Sequence, residues 1–200
     1  MKTLIVYATR YGATKGTAEE IARILKEERM DVRVANAKEE EIPGISEYQL
    51  VIVGSGMSMG NWGKEAEDFV KKFQKELESK KFALFISSLK PLEDRMGKPD
   101  QSARTRKIGL DDKILKYNLK PIIIGFFGGV LDYNKMGFLT RKAMEVGYKS
   151  QLQKHGFKEV EPSIYDLRDW REIRSWATEL AESHGINGVQ FEAKSFARRL

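Results

Sequence analysis

The chain of 200 residues reads as an α/β protein: a doubly wound, five-stranded parallel sheet with an insertion near the fifth strand. Three observations predict this. Five short apolar runs recur between helical stretches. The runs are continuous rather than alternating, as parallel strands covered on both faces must be. The first run passes at once into a turn rich in hydroxyls and glycine, and that turn opens a helix. Such a turn holds a phosphate, because unpaired amides and the helix dipole favour an anion at a helix start.

The opening strand is Thr3–Ala8, and an amphipathic helix begins near Thr14 with Ala18, Ile21, Ala22 and Leu25 at helical spacing. Further strands are expected at Asp31–Ala35, Leu50–Gly54, Phe82–Ile86 and Pro121–Phe127. Between the third and fourth, Trp62, Ala66, Phe69, Val70, Phe73 and Leu77 form one helical stripe, and a third helix is expected over Asp100–Tyr117. Right-handed crossovers between parallel strands place a ligand beyond their carboxyl ends, where the strand order switches. After Phe127 the pattern is less regular. Gly128 and Gly129 lead into an insertion over 129–162, with its own helix around Phe138–Gln153. Ser163–Leu167 reads as a short strand. Asp169 then caps a final helix with Trp170, Ile173, Ala177, Leu180 and Ala181 on one face. The expected domain spans 1–184, followed by a basic tail over 185–200 with Lys194, Arg198 and Arg199.

A composition of 41% hydrophobic and 32% charged residues suits one domain, or two small ones, with a sizeable core. No apolar run is long enough to span a membrane, and the first residues lack the pattern of a secretory signal. The absence of cysteine excludes disulfides, thiolate metal sites, iron–sulfur clusters and thiol catalysis, and suits a cytoplasmic home. His155 and His184 each precede a glycine at an expected helix end, which reads as capping rather than catalysis or metal binding. No Ser/His/Asp set, catalytic carboxylate pair or metal-ligand cluster stands out, so no catalytic acid or base is named.

The net charge of +6 sits entirely in the second half: residues 1–100 hold 17 basic and 17 acidic residues, and 101–200 hold 18 and 12. That excess reads either as solvated surface or as attraction to an anionic partner, including peripheral contact with an anionic inner membrane surface. Aromatics are not interleaved with the basic residues, so nucleic acid is not an expected partner.

Two familiar phosphate loops do not match. Gly12-Ala13-Thr14-Lys15-Gly16-Thr17 has the wrong spacing for an NTPase P-loop and no lysine after Gly16. A dinucleotide fingerprint needs three glycines after the first strand, where only Gly12 and Gly16 occur. Thr9-Arg10-Tyr11-Gly12-Ala13-Thr14 instead resembles the Ser/Thr-x-Thr-Gly-x-Thr loop of the flavodoxin family, and the resemblance extends over roughly 1–184. It implies a flavodoxin-like sheet that holds the phosphate of FMN with hydroxyls and amides, no basic side chain being obligatory. Thr9 and Thr14 fit the hydroxyl positions. Tyr11 replaces the usual middle threonine, and Arg10 adds a charge beside the phosphate.

The resemblance also implies where the ring sits. Met57-Ser58-Met59-Gly60-Asn61-Trp62 follows the third strand, and Met59-Gly60-Asn61 is similar to the family's Met-Gly-Asp. Glycine at position 60 tolerates the positive φ that a peptide flip beside the flavin requires. Trp62 either stacks on the flavin or packs in the helical stripe it begins. Ser87-Ser88-Leu89-Lys90 is in place for the pyrimidine edge but lacks the family's usual tyrosine, for which Tyr133, after Gly128-Gly129, is a candidate substitute. The 59–72 segment, the late Leu167–Ile173 segment and the insertion resemble the flavodoxin-domain subfamily that includes menaquinone-dependent protoporphyrinogen dehydrogenase.

No Asp or Glu occurs over 54–63 or 87–92. A unit charge about 6 Å away is worth roughly 3 kcal/mol at an effective dielectric near 20. A flavin without such acidic neighbours is easier to reduce, which suits a moderate-potential partner such as a quinone. Three functions are therefore weighed: an FMN oxidoreductase acting on a small molecule such as a porphyrinogen, a carrier of electrons to a redox protein, and a non-flavin binding module. For the first, Arg104, Arg106, Lys107, Lys135, Arg141 and Lys142 are candidate contacts to substrate carboxylates, or ordinary surface charges.

Overall fold

Strand β1 (Lys2–Ala8) sends Leu4, Val6 and Ala8 to one side and Ile5 and Tyr7 to the other, all of them buried. With β2 (Asp31–Asn36), β3 (Leu50–Gly56), β4 (Lys81–Ser88) and β5 (Ile123–Gly128) it forms an all-parallel sheet in the order β2-β1-β3-β4-β5. This computed structural model describes residues 1–58 and 60–185, so Met59, the His184 ring and the basic tail beyond residue 185 lie outside the described residues. All five expected strands form. The last starts at Ile123 rather than Pro121, because proline has no N–H for the ladder; Ile122 N–H makes the first bond, to the Phe82 carbonyl at 2.8 Å.

One face of the sheet is covered by α2 (Lys64–Leu77), whose Ala66, Phe69, Val70, Phe73 and Leu77 meet the side of Leu4, Val51 and Leu84. The other is covered by α1 (Ala13–Glu27) and α8 (Trp170–Gly185), around an aromatic trio of Phe85, Phe127 and Trp176 with centroids 5.8–6.3 Å apart. Two strand glycines make room for that trio. A Cβ at Gly54 would lie 2.2 Å from the Phe85 ring, and one at Gly125 would lie 2.5 Å from Phe127. The cap of α8 forms as expected: Asp169 Oδ1 accepts from the amides of Arg171 at 2.8 Å and Glu172 at 3.3 Å.

The helix expected over Asp100–Tyr117 is present but not uniform. After a short α3 (Lys90–Arg95), which the sequence reading does not contain, α4 (Pro99–Arg106) widens into a π-helical turn (Lys107–Asp111) and continues as α5 (Asp112–Lys116). Gly109 lets the wide turn close on the sheet, since a Cβ there would lie 2.7 Å from Ile86 and 3.0 Å from Met57. Its carbonyl accepts from Trp62 Nε1 at 2.7 Å.

The insertion has a small core of its own. Strands β6 (Val130–Asp132), β7 (Glu159–Glu161) and β8 (Ile164–Asp166) form an antiparallel sheet in the order β6-β8-β7, with a bulge between Glu159 and Glu161. A 3-10 turn (Tyr133–Lys135) follows β6, and the expected helix is again interrupted: α6 (Phe138–Met144), a π-helical turn (Glu145–Lys149), then α7 (Ser150–Lys154). Leu92, Leu131, Tyr133, Met136, Leu152, Tyr165 and Leu167 pack together beneath it. His155 is the C-cap of α7. Gly156 follows at φ +79°, donating to the Gln153 carbonyl, and Phe157 donates to that of Leu152.

Small sheet and large sheet meet at Gly128. Gly129 donates to the Ser88 carbonyl at 2.8 Å and accepts from Leu167 N–H at 2.9 Å. A Cβ on Gly128 would lie 2.0 Å from the Leu167 carbonyl oxygen, and a backbone atom cannot swing away as a side chain does. Gly128→Ala is expected to cost about 2–3 kcal/mol. Differential scanning calorimetry should then record a melting temperature roughly 4–12 °C lower.

A polar network ties α2 to α5. Glu67 Oε1 accepts from Lys113 Nζ at 2.9 Å, from Lys116 Nζ at 3.1 Å and from the Tyr117 hydroxyl. Burial pushes the Glu67 carboxyl up, but the three donors outweigh it and hold the group at about 2, below its ordinary 4.5. A depressed carboxyl contributes stability above its unfolded value and loses it as pH falls toward the folded one. Glu67→Gln should therefore be less stable than the parent near neutral pH by roughly 2–3 kcal/mol. Urea titrations between pH 4.5 and 2 should show that difference shrinking; a pH-independent difference would contradict the network.

Candidate functional site

The parallel register brings four loops to one edge. Ala8 pairs with Ser55, Gly56 with Ser87, and Ser88 with Gly128, so the loops after β1, β3, β4 and β5 leave the sheet side by side. Between them lies a cavity of about 710 Å³, roofed by the insertion. A shallower depression of about 430 Å³ lies at the opposite end, against Met1, Gln49 and Lys81, where the strands begin. Ligands in open α/β sheets collect at the carboxyl ends, and the order change between β1 and β3 falls under the larger cavity.

The first loop is braced before any ligand arrives. Thr9 Oγ1 accepts from Gly12 N–H at 2.9 Å, and Gly12 takes φ +95° as the N-cap of α1. Arg168 presses from behind. It grips Asp166 with bonds of 2.8 and 2.6 Å, stacks 4.2 Å from the Trp170 ring and reaches the Ala13 carbonyl at 3.4 Å. A Cβ on Gly16 would lie 2.5 Å from that guanidinium, so glycine at this position admits the brace.

Thr14, in the first turn of α1, is buried, and its Oγ1 has no hydrogen-bond partner among the described residues. It faces Gly56, whose Cβ would lie 3.1 Å away. Ser87, at the end of β4, is likewise buried with an unpartnered Oγ. Leaving a buried hydroxyl unsatisfied costs about 1–3 kcal/mol, so two on one cavity mark places where a ligand completes the bonding.

The second loop is a tight turn. Ser58 and Asn61 exchange backbone bonds of 2.9 and 3.0 Å, with Gly60 at φ +77°. Ser55 Oγ accepts from Gly63 N–H at 2.9 Å and closes the loop's base, and Arg10 donates to Ser58 Oγ at 3.1 Å, joining the first two loops.

Of the residues expected at the site, Thr9, Arg10, Tyr11, Ala13, Thr14, Met57, Ser58, Asn61, Trp62, Ser87, Ser88, Leu89 and Gly129 line the cavity. Gly12 and Gly60 shape its loops without lining it. Trp62 is in the core as well as at the cavity wall, with its indole N–H committed to Gly109. Lys90 pairs with Asp94 at 2.9 Å, and Gly128 is taken up by the seam. Tyr133 is not brought to the cavity: it is fully buried in the insertion core, edge-on to Tyr165 at 6.1 Å, and burial pushes its hydroxyl up to about 12.

Several lining residues lie outside that expectation. Met136, Thr140, Met144 and Tyr148 descend from the insertion into the cavity. Thr140, Met144 and Tyr148 recur every four residues along α6 and the π-helical turn, the signal available to find them, whereas Met136 is extended and precedes the helix. Lys38 and Lys64 join Arg10 at the wall, and Glu65 is the one carboxylate among the described lining residues. Of the basic candidates for substrate contact, Lys107 pairs with Asp112 at 2.5 Å and Arg141 with Glu145 at 2.9 Å.

Comparison with known proteins agrees with this geometry. The family model described as Flavodoxin domain matches residues 4–156. The protoporphyrinogen IX dehydrogenase [quinone] of Escherichia coli strain K12 is 28% identical over 182 residues, covering 90% of this chain and 95% of that protein. The protein of that name from Leishmania major is 25% identical over 182 residues, covering 90% and 74%. Among solved structures, a short-chain flavodoxin associated with a PDU bacterial microcompartment superposes with a TM-score of 0.54 at 14% identity, covering 92% of this chain and 98% of that one. The Streptococcus pneumonia TIGR4 flavodoxin gives 0.50 at 14% identity, covering 92% and 99%. A family match over most of the sequence, on a five-stranded parallel sheet with a four-loop cavity, leads to one conclusion: the chain belongs to the flavodoxin domain family.

Proposed function

We propose that the cavity holds FMN and that the protein is an oxidoreductase taking electrons from a porphyrinogen and passing them to a quinone. The observation that carries the reading is the pair of buried, unpartnered hydroxyls, Thr14 Oγ1 at the phosphate loop and Ser87 Oγ at the end of β4. Both belong to loops that the family places around a flavin. The names of the two relatives support the substrate and the acceptor.

FMN, when bound, supplies the redox chemistry, and the protein supplies position and electrostatics. The first amides of α1 and the Thr14 hydroxyl bind the phosphate in the loop that Thr9 and Arg168 hold in shape. Met57, Ser58 and Asn61, after β3, and Ser87, Ser88 and Leu89, at and just after the end of β4, line the part of the cavity that would hold the ring. Met136, Met144 and Tyr148 roof it and exclude water. Arg10, Lys38 and Lys64 outnumber Glu65 around it, which favours a carboxylate-bearing substrate and the electron-rich form of the flavin. Among the described residues no helix is long and apolar enough to cross a membrane. The insertion nevertheless leaves Phe138, Leu139 and Val146 exposed, beside Arg141, Lys142 and Lys149. An apolar face with basic neighbours suits an anionic bilayer, from which a lipid-soluble quinone is reached.

Purified protein should take up added FMN and turn yellow. Protoporphyrinogen should bleach that colour under anaerobic conditions, and a quinone should restore it. Thr14→Val should weaken FMN binding while leaving the unloaded protein as stable as the parent or more so, because it removes an unsatisfied buried hydroxyl. Colourless protein that ignores FMN would leave only a non-flavin binding module, and flavin untouched by protoporphyrinogen would leave a protein-to-protein electron carrier. For the membrane face, Phe138→Ser/Leu139→Ser should release the protein from sedimenting vesicles rich in anionic lipid; sedimentation equal to the parent's would remove that face.

A further inference from the structure

The phosphate loop of this chain carries a cation that its hydroxyl-and-amide scheme does not call for. Lys135 ends the 3-10 turn of the insertion, and its Nζ lies 3.4 Å from the Tyr11 carbonyl and 3.7 Å from where a Gly12 Cβ would be. A residue 124 positions away in sequence is thereby held against the backbone of the loop after β1, at the edge of the cavity rather than among its lining residues. We infer that Lys135 is a phosphate ligand delivered by the insertion, and that it makes the site select a phosphorylated flavin over an unphosphorylated one. The inference rests on the FMN reading above.

Three features support it. The turn that carries Lys135 is anchored, because Tyr133 is fully buried two residues earlier and Asp132 caps the turn through the Asn134 amide at 3.1 Å. The side chain of Lys135 therefore leaves an anchored backbone to reach the loop. Next, an ammonium has three donors. Asp132 takes one at 3.1 Å and the Tyr11 carbonyl another, which leaves one for a third partner. Finally, two other cations near the loop have partners of their own, while Lys38 and Lys64 stand elsewhere on the cavity wall. Arg168 is bidentate to Asp166 and touches the carbonyl side of α1, and Arg10 reaches across to Ser58. The cradle itself has its own sign of a missing ligand in the buried, unpartnered Thr14 Oγ1 on the first turn of a 15-residue helix.

The test compares the full-length parent, Lys135→Gln and Lys135→Arg for binding of FMN and of riboflavin, by quenching of flavin fluorescence at several salt concentrations. Lys135 is largely exposed, and glutamine keeps a donor for the buried Asp132 carboxylate, while riboflavin binding reports directly that the ring site is whole. Lys135→Gln should bind FMN roughly tenfold more weakly, at the lower end for a charged hydrogen bond, with riboflavin affinity unchanged. Its FMN affinity should also fall less with salt than the parent's. Lys135→Arg should stay close to the parent. Equal FMN binding by parent and Lys135→Gln would overturn the inference while leaving the FMN reading in place. So would an equal loss of both flavins. A parent that binds neither flavin would overturn the FMN reading itself, and this inference with it.

Discussion

The pairing of β1 with two parallel neighbours, β2 on one side and β3 on the other, is the constraint on which the rest of the structure depends. With β2 on one flank of β1 and β3 on the other, the crossovers run in opposite directions, and the loops at that point diverge. Here the divergence opens the space between Thr9–Thr14 and Gly56–Asn61. The residue-by-residue register then carries β4 and β5 to the same height, so that Ser87 and Gly129 face the same space. Slipping β3 by one residue against β1 would exchange Leu50 and Ile52 with Val51 and Val53 between two filled layers. The cavity is thus fixed by packing well below it.

Most of this frame is legible in the sequence because it is local. Continuous runs such as Leu4-Ile5-Val6 and Val51-Ile52-Val53 announce strands buried on both faces, and Ala18/Ile21/Ala22/Leu25 announces a helix with one apolar stripe. Asp169 before Trp170 marks a helix start that forms as read. The site residues found in this way lie within a few positions of a strand end, where position along the chain is nearly position in space.

What the sequence does not disclose depends on long-range contact. Lys135 and Arg168 meet the loop after β1 from 124 and 155 residues away, and although the sequence marks Lys135 as a candidate cation and Arg168 as part of a resembling segment, it does not disclose that either touches this loop. Tyr133 has the composition expected of a flavin-stacking residue, yet burial beside Tyr165 outweighs any such role, because a core that lost so large a side chain would collapse or leave a void. The π-helical turns are equally silent. An extra residue per turn is set by what the wide turn rests against, which for Lys107–Asp111 is Ile86, Met57 and the Trp62 indole. Trp62 packs in the core stripe it begins and also lines the cavity, with its N–H bonded to the Gly109 carbonyl.

The bulged strand β7 carries a further meaning. It is the outer strand of the small sheet, and unpaired strand borders invite other chains to add themselves by backbone pairing. Its three residues are Glu159, Val160 and Glu161, all exposed, with the register broken between the two carboxylates. A second chain approaching that border would meet like charges and a discontinuous row of donors and acceptors. The add-on that gives this cavity its roof therefore brings a free β-margin without bringing an invitation to fibril growth.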